Sequence, residues 1–242
     1  MQNPPSPPYN GFVSFLDLIF PKKCVGCNKF GTYFCTDCIA NIKQDNLVCP
    51  KCERPSIGGA THPICRRKYG LDGLWSLGIY ENPLRKAIHK LKYKQVPEMA
   101  NILVNVTVEY WAKYRPFIFD EIRKNPENWV LVPVPLHWWR ENSRGFNQSD
   151  LYGKLLSESL SLDYSNGLKR IRYTKSQVKL TEKKRRQNIF RAFEISPNYT
   201  LPPKPYTLLI DDVWTTGSTL RECCYILKSS GIKKVWALTL AR

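Results

Sequence analysis

Residues 207–220 read TLLIDDVWTTGSTL, and the reading of the chain starts from them. Thr207 to Ile210 are apolar or β-branched, the pattern of a short buried strand. That strand ends on two adjacent carboxylates, Asp211 and Asp212. A hydroxyl-rich turn follows, Thr215-Thr216-Gly217-Ser218-Thr219, and then a helix-like run from Leu220 to Ser230. A strand–turn–helix with small residues at the turn gathers backbone N–H groups and the positive helix end around one point, which suits a phosphate. The paired acids before it suit vicinal sugar hydroxyls, because each carboxylate accepts hydrogen bonds. A site for a ribose 5-phosphate is expected. A bare βα turn could carry threonine and glycine with no ligand, but two acids at the strand end argue against that. It is not a Walker loop: GxxxxGK(S/T) is missing, and the acids precede the glycine.

Outward from this segment, 242 residues leave room for one α/β domain of about 150–170 residues and a small satellite. The 37 basic against 20 acidic residues give a net charge of +17. Such a balance favours anionic partners: phosphorylated substrates, nucleic acid or an anionic membrane surface. No apolar run approaches the ~18–20 residues of a membrane span. Gly11 to Phe20 lacks a basic n-region, contains Asp17 and leads into Pro21-Lys22-Lys23, so it does not read as a signal peptide. It reads as an amphipathic helix that packs Phe12, Phe15, Leu16 and Ile19 on the body. The first eight residues, four of them proline, read as a disordered tail. The expected location is the cytoplasm.

Seven of nine cysteines fall between Cys24 and Cys65. They form Cys24-x-x-Cys27, Cys35-x-x-Cys38 and Cys49-x-x-Cys52, with Cys65 alone. Thiolates three apart at a tight turn can grip one tetrahedral ion, so these knuckles point to zinc. Redox CxxC motifs would need a thioredoxin-like βαβ context that is absent. The first four cysteines are expected to hold one Zn²⁺ in a short ribbon hairpin. Cys49, Cys52 and Cys65 are three ligands of a second site. Lys68 stands where a repeated CxxC would close it, and a protonated lysine offers no lone pair. His62, three before Cys65, is the expected fourth ligand. With few apolar residues between Lys22 and Arg67, ligation must supply the folding energy. Three regions result: 1–20 tail and short helix, 21–70 double zinc ribbon, 71–242 the α/β domain.

Leu71 to Tyr80 reads as a strand, Asn82 to Tyr93 as a helix with a basic face that includes Lys92 and a solvated His89, and about Glu98 to Tyr114 as a second helix. Trp129 to Val134 is a buried strand. It leads into Pro135-Leu136-His137-Trp138-Trp139-Arg140 and then Arg144-Gly145-Phe146-Asn147-Gln148-Ser149, ahead of a helix to about Leu160. This tract is expected to be a strained, proline-bounded loop, with Val132-Pro133 and Val134-Pro135 as the peptide bonds where a cis isomer costs least. Arg140 and Arg144 can present guanidinium forks to phosphate oxygens. From Lys169 to Arg191 ten basic residues face one acid; a strand-like start from Leu168 to Arg172 and a polar run to Gln187 read as a long mobile loop over the active site that carries function. Lys183, Lys184, Arg185 and Arg186 are its candidates for a phosphodiester backbone, and Trp138 and Trp139 offer stacking surfaces.

The order of these motifs resembles the ComF/GntX family: a Cys₄ ribbon, VPVP…R…RGFNQ, Gln177…Arg185-Arg186-Gln187-Asn188 running to Phe193, then LLIDDVWTTGST. The resemblance covers about residues 12–242, and Lys68 departs from it where a cysteine commonly closes the second ribbon. It implies a type I phosphoribosyltransferase fold, a parallel sheet flanked by helices. By the same resemblance, Asp211 and Asp212 hold the ribose 2- and 3-hydroxyls. Thr215, Thr216, Gly217, Ser218 and Thr219 cradle the 5-phosphate of phosphoribosyl diphosphate. Val132, Pro133, Val134, Pro135, Arg140, Arg144, Gly145 and Gln148 line the pyrophosphate side, and Mg²⁺ accompanies the ligand. Asp211, Asp212 and Arg144 are the expected catalytic residues. Some members are linked to DNA uptake, which implies single-stranded DNA and a competence helicase as partners. A binding module that keeps the pocket without turnover is the alternative.

Overall fold

The computed structural model describes residues 21–93, 97–173, 182–196 and 205–242. The tail and helix expected over 1–20 lie outside these residues, as does the stretch 174–181 of the basic run.

Five parallel strands form the centre. They are β1 (Gly73–Gly78), β2 (Trp129–Pro133), β3 (Asp163–Tyr164), β6 (Tyr206–Val213) and β7 (Lys234–Ala241), in the order β1-β7-β6-β2-β3. All four pairings are parallel. Parallel sheets are covered on both faces, so their strands are apolar throughout, and β6 shows how the alternation sorts side chains. Leu208 and Ile210 join Leu131, Leu238 and Leu240 in one core. Leu209 joins Val130, Val132, Val235 and Ala237 in the other.

Helices cover the first core: α2 (Leu84–Tyr93), α3 (Pro97–Tyr114), α4 (Pro116–Arg123) and α6 (Gln148–Leu160). Tyr152 of α6 donates to Thr107 of α3 at 2.8 Å in the buried seam between them. The second face carries α7 (Glu182–Ile189), α8 (Ser218–Ser229) and the antiparallel pair β4 (Leu168–Arg170) and β5 (Phe193–Ile195). This is the parallel sheet flanked by helices that the sequence implied, with the cysteine-rich segment and its short helix α1 (Thr36–Ala40) ahead of it.

That segment is fastened to the body by buried polar contacts. Asp45 accepts from Arg242 Nε at 2.8 Å and from Ser76 Oγ, while Arg115 donates to the Asp45 and Ser76 carbonyls. Among the described residues no helix is long and apolar enough to cross a membrane.

Three expectations change. The tract after β2 is not a strained loop with a cis proline: the cis peptide among the described residues is Asn82–Pro83. Pro133 still faces Ile210 across the ladder and Val134 N donates to the Ile210 carbonyl at 2.8 Å, so the ladder runs through Pro133 to Val134. Next, Trp138 to Arg144 form a short helix, α5, capped by His137 Nδ1 accepting from Trp139 N and ended by Gly145 at φ 79°. Finally, the basic run is not one loop. Its strand-like start is β4, but the run also contains α7, whose Ile189 is buried, and Arg172 ties the two together by donating to the Asn188 and Phe190 carbonyls.

Candidate functional site

β2 and β6 lie side by side, yet β2 continues through α6 to β3 on one flank and β6 through α8 to β7 on the other. Their carboxyl ends therefore flank the topological switch point, where open α/β sheets leave a crevice. Asp211 and Asp212 end β6 at this point.

Three helices converge on the two acids. Asp212 accepts from Gln148 Nε2 of α6 at 2.7 Å and pairs with Lys92 Nζ of α2 at 3.0 Å. Arg144, the last residue of α5, donates to Gln148 Oε1 at 3.1 Å, so the guanidinium reaches the acids through the amide. Asp211 accepts from Ser149 Oγ at 3.3 Å and from Asp212 N at 2.8 Å. Asn147 caps α6 by accepting from Ser149 N and also donates to the Val134 carbonyl, which ties α6 to the end of β2.

The electrostatics separate the pair. Burial and the charge of Asp212 push the Asp211 carboxyl up to about 7, against the pull of the Asp212 N–H, Lys92 and Arg170. Burial opposes the charge on Lys92, but Asp212 and then Asp211 outweigh it and hold the ammonium above its ordinary range.

Beyond Trp214 the turn closes on Gly217 at φ 64°, where a Cβ would stand 2.3 Å from the Trp214 ring. Only glycine fits that bend. The Thr216 and Ser218 hydroxyls lie 2.8 Å apart, and Ser218 and Thr219 begin α8, whose first N–H groups have no helical partner. Arg221 closes the turn from behind, donating to the Thr216 carbonyl at 2.6 Å.

The same arginine donates to the Pro50 carbonyl at 2.7 Å, inside the Cys49–Cys52 knuckle, and Trp214 Nε1 donates to Glu53 Oε1 at 3.3 Å. The second knuckle thus backs the turn. Its Cys49, Cys52, His62 and Cys65 bring one ligand atom each within 4.8 Å of one another, as do Cys24, Cys27, Cys35 and Cys38 at the first. His62 Nδ1 is 3.4 Å from Cys52 Sγ, and Nε2 is 3.0 Å from the Pro55 carbonyl. A proton on Nε2 leaves the Nδ1 lone pair for the sulfur cluster, the usual orienting device of a metal-bound histidine. Lys68 lies over the Tyr69 ring instead. Although burial opposes ionisation, backbone N–H groups bring the Cys24 thiol down to about 6 and the Cys49 thiol to about 7. Four soft donors around one point fit a structural Zn²⁺ at each site.

Not every expected residue meets the acids. Val132 and Pro133 are buried within β2, and Val134 and Pro135 follow it toward the crevice. The backbone of Arg140 lies on α5, but its side chain is outside the description, as are those of Lys183, Arg185 and Arg186. Lys184 is exposed on α7, which packs on α8. Trp138 and Trp139 are exposed, and the Trp139 and His137 rings each meet Tyr173 edge-on. Sequence reasoning missed Ser149, Arg170 and the partner role of Lys92. Lys92 had a signal: it follows Ile88 by four, on the border of the apolar stripe Leu84, Ile88, Leu91.

Residues 15–67 match the double zinc ribbon domain family. The chain is 29% identical over 222 residues to competence protein F of Haemophilus influenzae, covering 90% of each chain. It is 31% identical over 214 residues to the DNA utilization protein YhgH of Salmonella typhimurium, covering 84% of this chain and 88% of that one. Competence protein ComFC of Bacillus subtilis is 28% identical over 220 residues, with 86% and 83% covered. Since the 31% identity to YhgH extends over 84% of this chain, the chain belongs to the ComF family, that of competence protein F and YhgH.

Proposed function

We propose that the chain binds phosphoribosyl diphosphate with Mg²⁺ in the crevice between the ends of β2 and β6. One arrangement carries the reading: an acid pair and a hydroxyl-rich turn at the head of a helix, together at the switch point of a parallel sheet. Asp211 and Asp212 accept the ribose hydroxyls, and the Thr215–Thr219 turn takes the 5-phosphate. The pyrophosphate side is given to the backbone from Val132 to Pro135, at the end of β2, and to Arg140, Arg144 and Gly145 on and after α5. Gln148 holds Asp212 in place and hands the Arg144 charge toward it. Adjacent carboxylates and phosphate oxygens are hard donors that fit Mg²⁺, which when bound neutralises charge on the leaving pyrophosphate.

In turnover, the bond from ribose C1 to the pyrophosphate oxygen breaks, its electron pair leaves with pyrophosphate, and a nitrogen nucleophile bonds to C1 and releases its proton to solvent. The chain contributes position and a fixed field. Lys92 pairs with Asp212 and holds it in place, and Asp211 stands beside the carbon that gains positive character. Relatives named for competence and for DNA utilization support a role in DNA uptake or use, and we read single-stranded DNA and a competence helicase as its partners there.

A second reading keeps the pocket and drops the turnover, so that the site grips a 5′-phosphorylated strand end. The exposed Trp138, Trp139 and Tyr173 rings favour it, since bases stack on such surfaces. Calorimetry with phosphoribosyl diphosphate and Mg²⁺ tests the shared pocket. Asp211→Asn with Asp212→Asn should reduce affinity by about 100-fold or more, each lost charge-assisted bond costing ~1.5–3 kcal/mol. Wild-type affinity in that variant refutes the pocket. Pyrophosphate release across candidate amine acceptors then separates enzyme from binding module.

A further inference from the structure

The first knuckle and α2 enclose a cleft of about 530 Å³ that none of the pocket chemistry uses. Five of the nine residues that line it are Lys23, Arg85, Lys86, His89 and Lys90, and none is acidic. Two acids that meet basic residues of this segment are already engaged: Asp37 pairs with Lys29, and Glu98 with Lys22. Lys86 donates to the Gly26 carbonyl at 3.4 Å, from helix to knuckle. Aromatic rings stand among the charges. Lys90 lies 3.7 Å above the Tyr33 ring and Lys23 4.8 Å from that of Phe30, which is 66% exposed.

Helical geometry joins this cleft to the acid pair. At about 100° per residue, positions 92, 85, 89, 86 and 90 follow one another round the helix in that angular order. Lys92 at one border faces Asp212, and Lys86 and Lys90 at the other face the knuckle. The polar arc of α2 is thus a continuous band of positive charge from the crevice to the ribbon, and Arg85 and Lys92 are separated by about 10 Å of helix.

We infer that this cleft is a binding site for single-stranded nucleic acid, its phosphates on Lys23, Arg85 and Lys86 and a base on Phe30. An elongated basic band with interleaved rings suits a chain of phosphates bearing unstacked bases; a compact small anion would need only one end of it. A duplex keeps its bases stacked and would leave Phe30 unused. The inference rests on the DNA part of the proposed function and moves the principal contact from the 183–186 segment to the ribbon.

The test is fluorescence anisotropy with a labelled oligodeoxythymidine across a salt series, on the full chain. The variant Lys23→Gln/Arg85→Gln/Lys86→Gln changes only exposed side chains. It should bind at least about tenfold more weakly in low salt, with the log–log salt slope reduced by about 2, at ~0.7 per phosphate contact. Phe30→Ala should lower affinity about fivefold with the slope unchanged, because stacking is uncharged. Zinc content and phosphoribosyl diphosphate affinity should stay at wild-type values in both. Wild-type oligonucleotide binding by the triple variant overturns the cleft and leaves the pocket reading standing. A wild-type chain that binds no oligonucleotide sinks both the cleft and the DNA part of the proposed function. Loss of binding to anionic phospholipid vesicles with oligonucleotide binding intact overturns the inference in favour of a membrane surface.

Discussion

The first knuckle, Cys24 to Cys38, buries Cys24, Phe34 and Cys38 in the same core as Ile88 and Leu91 of α2. A Cβ on Gly26 would come within 2.4 Å of Cys38 Sγ and 3.1 Å of Pro83, so the knuckle and the start of α2 meet closely. The second knuckle, Cys49 to Cys65, meets the start of α8 through polar contacts instead. Its Pro50 carbonyl and Glu53 carboxylate meet Arg221 and Trp214, the two side chains that shape the Thr215–Gly217 turn. Two sites of nearly the same spacing thus do different jobs. One staples the ribbon to the basic face of α2, and the other forms the rear wall of the candidate phosphate turn.

The comparison breaks most visibly through the metal ligands. Cys24→Ser and Cys49→Ser should each lower zinc from about two ions per chain to about one, since ligation supplies most of the folding energy of such ribbons. Phosphoribosyl diphosphate affinity should hold within about threefold in Cys24→Ser and fall about tenfold or more in Cys49→Ser, for the lost knuckle carries charge-assisted bonds to the turn. Equal losses in the two variants would erase the distinction.

Arg221→Ala sharpens it with the metal untouched. Zinc stoichiometry should remain near two while ligand affinity drops by about tenfold, the equivalent of one charge-assisted hydrogen bond. Unchanged affinity would mean that the turn stands without the knuckle.

The smallest effects come from His62. His62→Ala should weaken only the second site, read as easier loss of one zinc to a chelator. His62→Cys should retain it, because a thiolate fills the same tetrahedral corner. If the alanine variant keeps both ions as firmly as the wild type, His62 does not ligate.

Much of this was legible in residues 207–220 and in the cysteines. β6 could be read because a strand buried on both faces has one continuous apolar run, and the polar residues that break it mark its carboxyl end. His62 could be read because Lys68 has no lone pair to give. The tract after β2 was harder. Prolines at 133 and 135 speak for a loop locally, but the β6 ladder holds Pro133 extended, and a His137 cap with Gly145 at the far end allows a helix after Pro135. The charges of 169–191 hid α7, since Glu182 to Ile189 has little apolar periodicity and its order comes from contact with α8. Lys92 was masked by the other lysines around it; its meaning lay in its angle on the helix.

Arg221 leaves one more consequence. A single guanidinium holds the Thr216 and Pro50 carbonyls, so the two segments share an interaction that neither owns. Coupling between two binding equilibria is symmetric: whatever an ordered second knuckle adds to the affinity of the turn for its ligand, the ligand returns to the knuckle's affinity for its ion. The ease with which a chelator strips the second zinc is therefore a readout of occupancy at the turn, obtained without any knowledge of the acceptor.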